Sequence, residues 1–108
     1  MKFDFGSLEK DIEADWPVRV QVPQDDGKVL EQTLSLRFRL HGDAELVSLG
    51  MGLEAVKAAL RKCVVGFGRS EEQAFTPELF DQMMNRAYVR TAIVQAYGEF
   101  ALGIPAKN

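Results

Sequence analysis

The sequence predicts an α+β domain, with an N-terminal antiparallel β-hairpin packed on a bundle of about three to four α-helices. Three observations carry that prediction. Apolar residues alternate with polar ones from Pro17 to Leu40, on either side of one turn-forming stretch. From Leu46 to Cys63, and again from Val89 to Phe100, they recur instead at three- and four-residue steps. No repeat or linker-like stretch separates the two patterns, and 108 residues suit one domain. The expected organisation is an arm over residues 1–15 and a single domain over residues 16–108.

The arm reads MKFDFGSLEKDIEAD. Asp11, Glu13 and Asp15 alternate in it, but a calcium loop needs more oxygen ligands and a turn glycine, so a solvated segment is the better reading. In the first strand Val18, Val20 and Val22 point one way, and Arg19 and Gln21 the other. PQDDG supplies turn chemistry, with Gly27 free to take positive φ. In the second strand Leu30, Leu34, Leu36, Phe38 and Leu40 share one parity, with Gln32 the exception. Glu31, Thr33, Ser35, Arg37 and Arg39 hold the other, as expected of an antiparallel sheet with one wet side. A hairpin turning around residues 25–28 is marginal alone, so its apolar face must pack on helices.

Asp43 is a candidate N-cap for the first helical stretch, whose stripe runs through Leu46, Leu49, Leu53, Val56, Leu60 and Cys63. Gly50 and Gly52 interrupt it at about 1 kcal/mol each relative to alanine. A short helix, a bend and a longer helix to about Cys63 are expected. In CVVGFG, Cys63, Val64 and Val65 read as the buried helix end. Gly66 and Gly68 let the chain leave, and Phe67 pins the loop to the core or faces a partner. Thr76 is a good N-cap, Pro77 fits the first turn, and Phe75 and Phe80 form a hydrophobic staple. The last helix starts near Ala87 and buries Val89, Ile93, Tyr97 and Phe100. Gly103 stops it, with Pro105 beyond.

Net charge is −3 and the pI about 5.1, with no polybasic tract, so nucleic acid and membrane surfaces are not expected partners. A single cysteine leaves no disulfide framework. Acidic residues stand where a secretory signal needs apolar ones, and no run reaches the ~20 apolar residues of a membrane span. A soluble intracellular protein is expected, with a core small enough for a partner to complete it.

No catalytic constellation emerges. GFGRSEE lacks the Lys-Ser/Thr of a phosphate loop and the third glycine of a dinucleotide fingerprint. Cys63 has no local base, and a thiol on an apolar helix face is usually packing. His41 has no companion at ligand spacing. Glu71 and Glu72 read as a charged loop. Catalytic, metal-binding and cofactor-binding residues are therefore expected to be none. Met83 and Met84 are adjacent, so one helix neighbour buries only one well, and adaptable methionines suit binding surfaces. Trp16 is read as a lid on the core, with an exposed anchor as the alternative.

The stretches WPVRVQVPQDDGKVLEQTLSLRFRL, VVGFG and FTPELFDQMMNRAYVRTAIVQAYGEFALGIPAKN resemble, in order and spacing, the tail assembly chaperone family of long-tailed bacteriophages. The likeness spans residues 16–108. Phe67 stands where the family pattern has Trp, and AFTPE replaces a Pro-Phe-Ser helix start. The resemblance implies a non-catalytic phage protein of the host cytoplasm, not expected in the mature virion. It would be encoded next to the tape measure protein, bind that protein, keep it soluble and help recruit the major tail (tube) protein, with self-association left open. Partner-binding residues are expected among Trp16, Phe67, Met83, Met84 and Tyr88. The resemblance also implies a longer product from a −1 ribosomal frameshift, for which the codons of Ala106, Lys107 and Asn108 would supply an A-rich slippery site. The alternative is a structural minor tail or head-tail component retained in the virion.

Overall fold

A computed structural model describes residues 2–40 and 52–106 of the chain. The expectations placed on His41, Asp43, Leu46, Leu49 and Gly50 lie outside the described residues. Near the N-terminus the Asp4 carboxylate accepts the Gly6 amide at 3.0 Å and starts a 3₁₀ turn, Phe5–Glu9. Phe3 and Phe5 meet edge-on there, and both are exposed.

Strand β1 spans Ile12–Pro23 and pairs antiparallel with β2, Val29–Leu40, in one unbroken register from Ile12↔Leu40 to Pro23↔Val29. The strand thus starts ahead of the expected domain boundary at residue 16. Glu13 and Asp15, read as part of a solvated arm, belong to the ladder. They can do so because Arg37, across the strand pair, bonds both carboxylates. A turn at Asp25–Gly27 joins the strands, and Gly27 takes φ 73°. Asp26 also takes positive φ, 61°, a conformation that short polar side chains tolerate.

Helix α1, Leu53–Cys63, buries Val56, Leu60 and Cys63, but leaves Leu53 exposed. Its continuation corrects the reading of CVVGFG as a helix-ending loop. Val64 turns to extended geometry directly after Cys63, and Val64–Phe67 form a third strand, β3. It pairs antiparallel with β2 through Leu36↔Phe67, Arg37↔Gly66 and Phe38↔Val64. Val65 is skipped in that register and is exposed, so it is not part of a buried helix end. A hairpin leaves one edge of β2 unpaired, and β-branched valines beside it favour pairing over a loop. The architecture among the described residues is therefore a three-stranded antiparallel sheet, ordered β1-β2-β3, with three helices.

Helix α2, Pro77–Met84, begins as expected, with Thr76 Oγ1 accepting the Leu79 amide at 3.1 Å and the Phe75 and Phe80 rings 5.9 Å apart. Helix α3, Ala87–Leu102, ends on Gly103 at φ 70°, where Ile104 N donates to Glu99 O. It lies along β1 and buries Ile93, Tyr97 and Phe100 against Val18, Leu36 and Phe38. At the centre, Phe38 meets Tyr97 edge-on at 5.5 Å and stacks obliquely on Phe100 at 5.6 Å.

Candidate binding groove

The paired strands outrun the helical layer. Even-numbered residues face the helices: Val18, Leu36 and Phe38 are covered, while toward the turn Val22 is only half-buried and Leu30 is 49% exposed. Where cover stops, the inner sheet face and the α2–α3 corner leave a groove of about 450 Å³. Val20, Val22 and Leu34 floor it from the sheet, and Leu79, Met83 and Val89 wall it from the helices. Phe67 and Tyr88 also line it. Gln32, which breaks the apolar parity of its strand, lies in this groove with Gln73 and Thr33. Glu71 adds a carboxylate to the lining, and concave apolar walls with a few polar or charged groups are the usual make-up of a binding site.

Of the residues expected to meet a partner, the groove gathers Phe67, Met83 and Tyr88. Met84 is fully buried in the core and presents no surface; its neighbour Met83 takes the outward position, since adjacent helical residues face different ways. Trp16 does not line the groove. It is half-buried against Phe100, ring centroids 5.5 Å apart, with its indole Nε1 buried and unpartnered. Val20, Val22, Leu34, Leu79 and Val89 were not expected at a binding surface, since each matches an ordinary core periodicity. Gln32 was the visible signal, as the one polar residue on an apolar parity.

Phe67 also packs edge-on against Phe75, centroids 5.1 Å apart. Phe75 lines a second apolar cavity of about 370 Å³ with Val64, Pro77 and Phe80, rimmed by the Arg61–Asp81 ion pair at 2.9 Å.

Comparison of the chain with protein-family models, with curated proteins and with solved structures returns no match.

The loop beside the groove is fixed to the sheet by two carboxylates. Asp15 accepts the Arg69 amide at 3.0 Å and Arg37 Nη1 at 2.7 Å, while Glu13 accepts Arg37 Nε at 2.6 Å. The Arg69 amide and the Arg37 guanidinium hold the Asp15 carboxyl below its ordinary value. Glu13 and Asp15 in turn raise Arg37. Glu71, expected to be a plain charged loop residue, accepts the backbone amide of Ser35 at 2.7 Å. Gly68 N donates to Ser35 O at 2.9 Å, and any Cβ at Gly68 would overlap the Ser35 side chain.

Cys63 is buried among core side chains beside Tyr97. Burial, reinforced by that thiol, pushes the Tyr97 phenol up; the weakly bonding Cys63 thiol is the hydroxyl's neighbour, and no nitrogen or oxygen among the described residues partners it. No group of three or more His, Cys, Asp or Glu among the described residues is arranged to hold a metal ion. Nor is any helix among them long and apolar enough to cross a membrane.

Proposed function

We propose that this protein is a phage tail assembly chaperone: it binds the tape measure protein, keeps it soluble and helps recruit tail tube subunits, acting in the host cytoplasm without catalysis. The observation that carries the proposal is the groove joining Phe67, Met83 and Tyr88, residues singled out from the sequence for this role. Its walls are apolar, one is a flexible methionine, and it opens to solvent along the uncovered end of a β-ribbon. Such a surface suits the apolar stripe of an amphipathic segment that would otherwise aggregate.

Co-expression tests the reading. The tape measure protein encoded beside this chain should stay in the soluble fraction only when the chain is present. Tyr88→Glu, at an exposed position, and Met83→Gln, at a half-buried one that borders the core, should abolish that protection while the variants remain folded by circular dichroism. If neither tape measure nor tube protein is captured by the wild-type chain, the assignment fails.

A further inference from the structure

The sheet has two outer borders, and among the described residues they are protected unequally. Backbone N–H and C=O groups of a strand point alternately to its two sides. Gln24 N donates to Lys28 O across the turn, so in this register even-numbered pairs of β1 and β2 bond to each other and odd-numbered residues point outward. On β1, the outward positions include Pro17 and Pro23, which have no N–H, and α3 lies along the strand. That border is protected by the two standard devices, proline and a covering helix.

On β2, the outward residues are Arg37, Ser35, Thr33, Glu31 and Val29. Arg37 sits opposite Gly66 of β3. Ser35 gives its carbonyl to Gly68 and its amide to the Glu71 carboxylate. There the ladder stops. The register with β3 ends at Leu36↔Phe67, and no described residue bonds the outward backbone groups of Thr33, Glu31 or Val29. This open border runs beside the groove, because Gln32, Thr33 and Leu34 belong to both.

We infer that β2 takes an added strand from a partner protein along residues 29–33, continuing the line of β3. The strand's main chain bonds to Thr33, Glu31 and Val29, and every second side chain drops into the apolar groove. Charge settles the remaining choice. The solvent face at this border carries Glu31, whose carboxylate accepts Gln21 Nε2 at 2.8 Å but meets no cation among the described residues, and Glu72 lies on the adjoining loop, both exposed. A second copy paired about a two-fold axis at Glu31 would set that carboxylate opposite itself, which is unfavourable, and axes at Leu30 or Gln32 would set it opposite Val29 or Thr33, with no cation to meet it. The occupant is therefore a partner segment with apolar residues at alternate positions and a lysine or arginine facing Glu31. The inference stands independently of the chaperone reading, because it concerns the strand chemistry of whichever partner the groove receives.

The probe is a synthetic octapeptide alternating valine with lysine and threonine, added to the isotope-labelled full chain while amide exchange is followed by NMR. At ten times its dissociation constant it should slow exchange at Glu31 and Thr33 about tenfold. The same peptide N-methylated on its edge-facing amides should not. Glu31→Pro, which removes an outward N–H at a position where proline is tolerated, should leave the circular dichroism unchanged and abolish the protection. Glu31→Lys, with the backbone intact, should bind the lysine peptide several-fold more weakly and prefer a glutamate counterpart; equal affinity would refute the charge assignment. Peptide binding without slowed exchange at Glu31 and Thr33 overturns the inference, as do amides already slow in the dilute free protein. Protection that grows with protein concentration alone would assign the border to a second copy and overturn the partner assignment.

Discussion

Gly68 and Tyr97 show how single atoms constrain this fold. Gly68 carries no positive φ; what excludes other residues is the closeness of Ser35, whose Oγ and Cβ occupy the space a side chain would need. Gly68→Ala should cost about 1–3 kcal/mol in urea unfolding, since neither backbone has room to retreat while Gly68 N bonds Ser35 O. Adding Ser35→Gly should recover most of that loss; no recovery would place the strain elsewhere. Tyr97 presents the opposite case. Its ring is central to the core, but its hydroxyl is buried with only the Cys63 thiol beside it and no nitrogen or oxygen partner among the described residues. Tyr97→Phe keeps the ring packing against Phe38 and should stabilise the protein by about 1 kcal/mol, because an unsatisfied buried hydroxyl is removed. A destabilised variant would mean that the hydroxyl is bonded in solution, with the Cys63 thiol its neighbour.

At the scale of elements, β1, β2 and the loop after β3 meet on the wet face of the sheet through Asp15. Its carboxyl is held low by the Arg69 amide first and Arg37 second, so its charged form is favoured in the folded state. A carboxyl depressed on folding contributes stability that is present above its unfolded value, about 3.9, and lost as pH falls through its lower folded value. Stability should therefore decline below about pH 4 with a component that Asp15→Asn removes, leaving a flatter acid limb in thermal unfolding. An unchanged acid limb would show that the Arg69 and Arg37 contacts do not bias the charge state. The strands themselves were legible because alternation persists through β1 and β2, with their turn marked by Asp26 and Gly27. The start of α2 was legible because Thr76, Pro77 and the Phe75–Phe80 pair act locally. Strand β3 was not: four residues are too few for a period to show, and its partner edge on β2 is an effect of topology. Residues 12–15 were misread for a related reason, since only pairing with residues 37–40 reveals that their charges are matched across the ladder.

Over the whole molecule the dimensions are 51 × 30 × 29 Å, with a radius of gyration of 14.7 Å. A compact chain of this length would give about 13 Å. The excess follows from the paired strands, whose turn end projects past the helices. The groove exists because of that projection, so its extent was illegible in the sequence, even though Gln32 broke the apolar parity there and Phe67, Met83 and Tyr88 were nominated. Periodicity identifies which face of a strand is apolar, but not how far along it a helix will reach. Residues 23–31 are consequently exposed throughout, and such segments open at free energies well below global unfolding. Trypsin added to the native protein should therefore cut after Lys28, at the exposed turn, before it cuts after Arg19, Arg37 or Arg39, which lie where the ladder is backed by the core. Mass spectrometry of the first fragments checks this. Early cleavage after Arg37 would mean that β2 opens as readily against the core as at its tip. A bound partner strand should delay the Lys28 cut, because opening the turn end would then require breaking its hydrogen bonds as well.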